Sequence, residues 1–301
     1  MIYSGIKNRI KADGYDFIDN RICDSVNVNI TDFFGGLGMQ DDEGATLQYV
    51  PEEVYMTFNE NDWIFTQATA VSSVNTEPDR EWQITTDTIQ YVNLNGNSWT
   101  TSLLRQCYKT FRGAMNLKDH LPPEEGGKIY GMIIDAVPRR VKTGYGNNYV
   151  LYIDVIIATN RHIDRSWAEA IRKGQIRFLS VGFDCDYLTC SKCGHIYAID
   201  DYGICQHCAF ELNQKFYDSL ARESKVSAMC ALIENGNVDN HAEFVELSYL
   251  SVNPAFTGAT KAYTIEVPKG QDIKVKMPGE ALNKPAYEAL KQWIKVTKKT
   301  N

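Results

Sequence analysis

Two pairs of cysteines and a nearby serine carry the chemistry that this sequence suggests most directly. The cysteines are spaced Cys190-x-x-Cys193 and Cys205-x-x-Cys208, with a short, turn-rich loop between the pairs. Thiolates at this spacing can close a tetrahedron around Zn²⁺, and the glycine after the first pair lets the chain turn tightly. We therefore expect a structural zinc site, because a full set of protein ligands leaves no open position for a catalytic water.

Other side chains near the cysteines widen the choice of ligands. His195 and His207 could each replace one cysteine, and Cys185 is a further thiol close by. The loop between the pairs contains Asp200 and Asp201, which would repel a phosphate group. A zinc ribbon that binds nucleic acid is therefore the less favoured interpretation of the same pattern.

The composition of the 301-residue chain is that of a globular protein, with 44% hydrophobic and 23% charged residues. The net charge of −7 argues against general nucleic-acid binding. No window reaches the roughly 18 apolar residues of a membrane span, and the N-terminus has no apolar signal core. We expect no membrane partner and a reducing compartment, in which paired cysteines usually bind metal.

Ser180 is the candidate nucleophile, in an apolar segment with a glycine two positions later. A serine hydroxyl needs a base to take its proton, and that base needs a third group to orient it. Outside the cysteine cluster, His162 and His241 lie in polar stretches and His120 precedes a predicted strand. On residue type alone, Ser180 is better explained as a core hydroxyl and His120 as a surface residue.

The elements that must position these residues are mainly strands. Apolar and β-branched stretches predict strands at 128–137, 149–158, 175–183 and 244–252, and helices are predicted from Ser166, over 213–223 and over 284–296. Strands with helices inserted between them indicate an α+β fold around a mostly antiparallel sheet or barrel.

The order of several segments along the chain resembles that of a known protein family. FRGAMNLKDH, GKIYGMIIDA, YVLYIDVIIA, FLSVGF and VELSYLSVNPAFTGA follow one another as in the prohead (capsid maturation) proteases of tailed bacteriophages. These are serine proteases, distantly related in fold to the herpesvirus assemblins, and the large-phage members share a cysteine insert after the serine motif. The resemblance covers residues 99–259 and implies an assemblin-like β-barrel or sheet surrounded by helices, with an inserted zinc-knuckle subdomain.

The resemblance also implies roles for individual residues. His120 matches the family's base, Ser180 the nucleophile of the S-x-G motif, and Glu246 the acid of the E-x-S motif. Val181 stands where Ile or Met is commoner, which is a conservative change. The third position varies among His, Asp and Glu in relatives, and Glu243 on the same strand is the alternative, although a solvated charge explains Glu243 better. A carboxylate on an apolar strand is costly unless it is paired, which favours contact between Glu246 and His120.

The function implied is that of a serine endopeptidase that processes scaffold and capsid proteins during prohead maturation. The resemblance further implies self-cleavage, an acidic residue on the acyl side of the cut, and a location in the host cytoplasm and inside the prohead. A homodimer is compatible with it, whereas a specific nucleic-acid partner is not expected. Two alternatives remain: a catalytically silent capsid-core protein of the same fold, or a zinc-ribbon module that binds nucleic acid.

The expected domain organisation has three parts. Residues 1–48 form an N-terminal extension for docking or removal, and residues 49–265 form the protease domain. The zinc-knuckle insert occupies residues 185–212 within that domain. Residues 266–301 are expected to form a helical tail.

Overall fold

The computed structural model describes residues 55–144, 148–198, 203–231 and 240–251, together with short strands outside these ranges. The strands, in chain order, are β1 (Asp16–Phe17), β2 (Tyr55–Phe58), β3 (Trp63–Ser72), β4 (Thr76–Glu77), β5 (Arg80–Ile84), β6 (Asn97–Trp99), β7 (Met115–Asn116), β8 (Gly131–Lys142), β9 (Tyr149–Asn160), β10 (Phe178–Cys185), β11 (Tyr187–Cys190), β12 (Ile196–Ala198), β13 (Lys215–Tyr217), β14 (Glu223–Lys225), β15 (Ala228–Cys230), β16 (Ala242–Leu250), β17 (Tyr263–Ile265) and β18 (Ile273–Lys276).

The described helices are short. They are α1 (Thr101–Cys107), α2 (Arg165–Arg172) and α3 (Gln206–Phe210), with 3-10 helices at Thr86–Tyr91, Tyr108–Phe111 and Pro123–Glu125. Within the described ranges, no helix has the length and apolar character needed to cross a membrane.

The largest sheet has the strand order β10-β16-β7-β8-β9-β3-β17, and β1 also pairs with β8. Neighbouring strands in it pair antiparallel, except β16 and β7, which are parallel. The sheet curls into a half-barrel. The predicted α+β class with a mostly antiparallel sheet is therefore confirmed.

Strands β8 and β9 form the middle of this sheet and are buried over most of their length. Their long apolar and β-branched runs explain this, since such runs are typical of strands covered on both faces. The two strands are joined by a buried ion pair. Arg139 Nε donates to Asp154 Oδ2 over 2.5 Å, and Thr69 donates to the other oxygen of the same carboxylate over 2.6 Å. Pairing offsets the cost of burying these charges.

The main core joins the sheet to α1 and α2. Leu103 and Leu104 of α1 and Trp167 of α2 are buried together with side chains of the sheet. Phe111 stacks on Phe244 of β16 with ring centroids 3.8 Å apart. Aromatic packing of this kind holds β16 rigidly, and β16 carries the predicted acid.

The residue that caps α2 differs from the prediction. Asp164 is the N-cap, and its carboxylate accepts a hydrogen bond from Trp167 N over 3.0 Å. The predicted cap, Ser166, donates its hydroxyl to the same carboxylate over 2.7 Å. An ionised oxygen is the stronger acceptor for the free N–H groups of a first turn, so the aspartate takes this position.

A second, four-stranded sheet has the order β12-β11-β15-β6 and contains part of the cysteine segment. β11 follows β10 after a single intervening residue, so the segment that carries Ser180 runs directly into the one that carries the first cysteine pair. β15 pairs in parallel with β6, which precedes α1. Strand pairing through β15 thus joins the first cysteine pair's strand, β11, to β6.

One predicted helix is wrong, and two segments outside the main described range contribute short strands. The helix predicted over 213–223 is a hairpin of β13 and β14, because the Asp218 carboxylate accepts hydrogen bonds from the backbone N–H of Leu220 and Arg222 and so forms a turn. The N-terminal extension contributes β1 to the main sheet. The predicted helical tail contains β18, which pairs with β2, while the helix predicted at 284–296 lies outside the described residues.

Candidate active site and cysteine cluster

The candidate nucleophile and acid lie on neighbouring strands. β10 and β16 pair antiparallel, with Ser180 opposite Ser248 and Gly182 opposite Glu246. Directly opposed residues point to the same side of a sheet, and so do residues two apart on one strand. The pairing therefore places the side chains of Ser180, Glu246 and Ser248 on one face.

Gly182 makes room for the acid. A Cβ atom added at this position would lie 2.5 Å from Glu246 Oε1 and 2.6 Å from Glu246 Cγ. No real side chain tolerates such contacts, so the glycine lets the carboxylate lie across β10.

His120 reaches the acid from the loop that follows β7. Its Nδ1 atom lies 2.5 Å from Glu246 Oε1. The backbone conformation of His120 is left-handed, with φ 59°. Two bonds hold the loop in this conformation: the His120 N–H donates to Ser248 Oγ over 3.2 Å, and the Asp119 N–H donates to the Tyr249 carbonyl over 3.0 Å. The contact predicted between His120 and Glu246 is present.

Both oxygens of the Glu246 carboxylate have partners. Oε1 faces His120 Nδ1, and Oε2 accepts a hydrogen bond from the Ser248 hydroxyl over 2.6 Å. The Glu246 side chain is only 10% exposed, compared with 41% for His120. Burial would be costly for an unpaired carboxylate, and these bonds offset that cost. The acid is thus fixed, while the imidazole keeps an edge open to solvent.

Contact with Glu246 also sets the protonation of His120. The hydrogen bond to Glu246 raises the pKa of the imidazole above its ordinary value of 6.5, and partial burial opposes this shift. In the neutral ring, the proton sits on Nδ1, where it is donated to the carboxylate, and Nε2 is left as the proton acceptor. An imidazole in this tautomer suits the task of a general base.

Ser248 is the functional residue that the sequence reasoning did not single out. Its hydroxyl accepts from the His120 backbone and donates to Glu246, so it joins the two residues, and its side chain is fully buried. The signal was present in the sequence, because Ser248 lies two positions after Glu246 and must share its strand face.

Glu243 does not replace Glu246 at the His120 ring. Three positions separate the two glutamates, which would put them on opposite faces of a regular strand. β16 skips Val245 in its pairing with β10, and this bulge returns Glu243, opposite Asp184, to the face of Glu246. The imidazole nevertheless contacts Glu246.

Three other histidines, His162, His195 and His241, make their contacts elsewhere in the structure. His162 Nε2 lies 2.8 Å from Asp62 Oδ1, in an exposed pair. His195 donates from Nε2 to the Gly203 carbonyl over 2.7 Å. His241 directly precedes β16, and its backbone N–H donates a hydrogen bond to the Asp186 carboxylate. Among the described histidines, His120 is the one whose ring meets a glutamate on the Ser180 strand pair.

The cysteine cluster converges as predicted, with one change. Ligand atoms of Cys190, Cys193, Cys205 and His207 all lie within 4.8 Å of one another. His207 thus takes the place that the sequence analysis gave to Cys208. The His207 Nδ1 atom is buried and has no hydrogen-bond partner among the described residues. A buried nitrogen without a partner fits a metal ligand, because binding would satisfy it.

Cys208 lies beside this group. Its thiol hydrogen-bonds Cys190 and lies 3.8 Å from the Ser227 carbonyl oxygen, and its backbone N–H donates to Cys205 Sγ over 3.5 Å. Cys205 is the N-cap of α3, and His207 and Cys208 lie in the first turn of this helix. The cluster therefore offers five donor groups, and thiolate and imidazole are the donors that Zn²⁺ prefers.

Cys185, the spare thiol of the sequence analysis, belongs to the main core. It is buried, and its thiol donates to the Tyr187 carbonyl over 3.5 Å. It hydrogen-bonds Cys230. It is not part of the group of side chains that could hold a metal.

Comparison with known proteins gives no relative for this chain. No family model matches it, and neither the curated proteins nor the solved structures contain a match. Its functional assignment therefore depends on the geometry of the site and on the resemblance of its motifs.

Proposed function

We propose that this protein is a serine endopeptidase of the prohead maturation type, with Ser180 as nucleophile, His120 as base and Glu246 as orienting acid. The observation that carries the proposal is the bond between His120 Nδ1 and Glu246 Oε1, made on the same sheet face that bears Ser180. The resemblance of the motifs assigns the three roles. The pairing of β10 with β16, which puts Ser180 and Glu246 on one sheet face, supports this assignment.

The proposed reaction follows from the arrangement of these groups. His120 Nε2 takes the proton of the Ser180 hydroxyl as its oxygen attacks a peptide carbonyl carbon. The imidazolium that forms is stabilised by the Glu246 carboxylate and then gives its proton to the leaving amine. Water, deprotonated in turn by His120, hydrolyses the acyl-serine ester, which releases the acid product and restores the serine.

The identity of the substrates rests on the resemblance. We propose that the enzyme cleaves scaffold or core proteins and the major capsid protein, and also itself, in the host cytoplasm and inside the prohead. Two motifs support this proposal: the S-x-G motif in β10 and the E-x-S motif in β16. These two strands carry Ser180 and Glu246.

Zinc is the metal that we propose for the cysteine cluster. Cys190, Cys193, Cys205 and His207 would hold it, with Cys208 as the competing fourth ligand. A bound ion would tie the β11–β12 hairpin to α3 and stabilise the fold. We assign it no part in the peptide hydrolysis, because the proposed chemistry is complete with the serine, the histidine and the glutamate.

The experiment that tests the function is labelling with a fluorophosphonate probe, which reacts with activated serines. Wild-type protein should be labelled at Ser180, as located by peptide mass spectrometry, and Ser180→Ala should not be labelled. Ser219→Ala is the matched control, since Ser219 is an exposed serine in the turn between β13 and β14. In parallel, mass spectrometry of a co-expressed capsid protein should show processing with wild type alone. If neither labelling nor processing is observed, the catalytically silent capsid-core protein becomes the favoured interpretation.

A further inference from the structure

A cavity of about 230 Å³ lies beside Ser180 and is not used by the proposed catalytic residues. Ser180 is part of its wall, and the rest comes from β3, β10, β11 and β15 and from the segment around β6. The volume is below the roughly 300–1,000 Å³ of pockets that hold whole small-molecule ligands. A space of this size suits a single side chain.

The lining of the cavity is mostly apolar. Val71, Trp99, Val181, Phe183 and Leu188 contribute to it, together with asparagine and serine side chains of the β6 region. No Asp, Glu, Lys or Arg is found in this lining among the described residues. A charged side chain placed there would lose its hydration without gaining a partner, whereas an apolar one would gain from leaving water.

The position of the cavity relative to the sheet suggests how a side chain would reach it. β10 is the last strand of the described sheet and pairs with β16 on one side. The cavity lies toward its other side, between β10 and β3, because both strands contribute to the lining. An extended peptide that pairs with this edge would bring its backbone to the strand that carries Ser180, and alternate side chains would point to the cavity.

We propose that this cavity is the subsite that receives one apolar side chain of an extended peptide substrate and so determines which segments are cut. The inference rests on the proposed function, since it assigns specificity to the same serine. It also predicts that any acidic residue required by the enzyme is recognised at another substrate position, because this cavity offers no cation.

The test is the digestion of a randomised decapeptide library, with cut sites read by mass spectrometry. Wild-type cut sites should share an apolar residue at one fixed position relative to the cut bond. Leu188→Ala enlarges the cavity and should shift that preference toward longer side chains by about 10-fold in kcat/KM. Ala70→Leu fills the cavity and should shift it toward smaller ones. Leu220→Ala is the control, because Leu220 is 65% exposed and does not line the cavity.

The outcomes separate the two proposals. If Ser180 is labelled by the fluorophosphonate probe and the library is cut, but Leu188→Ala and Ala70→Leu leave the preference unchanged, the cavity is not the subsite while the enzyme assignment stands. A consistent preference for a charged residue at every fixed position would also overturn the subsite. If wild type is neither labelled nor able to cut any peptide, both proposals fall. Equal labelling of all variants shows that altered preference does not come from a damaged serine.

Discussion

The Ser248 hydroxyl donates a hydrogen bond of 2.6 Å to Glu246 Oε2 and thereby fixes the carboxylate that holds His120. The same hydroxyl accepts from the His120 backbone N–H, and Ser248 lies opposite Ser180 across the strand pair. One buried serine thus touches two members of the proposed catalytic triad and neighbours the third.

Ser248→Ala should slow fluorophosphonate labelling of Ser180 by about 10-fold, which corresponds to the loss of one hydrogen bond to a charged group. Ser224→Ala is the matched control, because Ser224 is also fully buried but donates to the Ile84 carbonyl, away from the site. Both variants should lose stability in urea, whereas Ser248→Ala alone should lose reactivity. Equal labelling rates for the two variants would remove Ser248 from the positioning role.

Glu246→Gln should lower reactivity on the order of 10³-fold, because an amide does not stabilise the imidazolium. It should also move the acidic limb of the pH–rate profile to lower pH. The bond to Glu246 raises the pKa of His120, so the wild-type base loses its proton at a higher pH than an ordinary imidazole, and removal of the carboxylate lowers that pKa. Glu243→Gln should leave both rate and profile unchanged. A rate loss confined to Glu243→Gln would transfer the acid role to that residue.

Gly182→Ala should impair the site while the fold survives. The new Cβ would meet Glu246 Oε1 at 2.5 Å and push the carboxylate from the imidazole. Displacement of about 1 Å at a catalytic group can cost roughly 10²-fold in rate. Gly174→Ala is the control, since nothing lies within 4 Å of its added Cβ, and its φ of +68° makes that change strained but remote. Wild-type labelling by Gly182→Ala would show that the carboxylate has room to move.

Ser180→Ala and His120→Ala should each reduce peptide cleavage to the same floor, and the double variant should be no worse. Residues that act as one catalytic unit are strongly non-additive, because either loss disables the proton transfer. The measurement is single-turnover cleavage of a peptide taken from the library digestion. If the effects of the two substitutions multiply, His120 and Ser180 do not act in the same step.

Cys193→Ser should lose bound zinc, measured by elemental analysis, and should unfold at lower denaturant concentration. Cys193 belongs to both candidate ligand sets, and metal binding and folding are coupled. Of the two competing ligands, His207→Ala should lose more zinc than Cys208→Ser, because His207 Nδ1 is buried with no hydrogen-bond partner in the described part of the chain. The reverse order would restore the set of four thiolates.

Chelators should inhibit the enzyme slowly, because loss of the metal acts through unfolding. Immediate and reversible inhibition would instead show that the metal takes part in the reaction.

The sequence alone was sufficient for the long, strongly patterned elements. The β-branched run at 149–158 predicted β9, and the apolar run at 244–252 predicted β16, because such patterns have few other stable solutions. The cysteine spacing predicted a convergent cluster for a similar reason, since short loops leave paired thiols little freedom. The 213–223 segment was mistaken for a helix because the turn at Asp218 depends on side-chain hydrogen bonds that a periodicity does not reveal.

Residue types and motif order were enough to name the candidate residues and the strands that carry them. Contact between those residues depends on how the strands pair and how the loops fold. Glu246 reaches His120 because the β10–β16 register places Gly182 beneath the carboxylate, and because a left-handed backbone at His120 turns its ring toward β16. Register and loop conformation depend on contacts between residues more than 100 positions apart, such as the bond from His120 N to Ser248 Oγ. Local pattern carries no information about such contacts, and so the part of Ser248 and the bulge that returns Glu243 to the face of Glu246 became visible only in the folded chain.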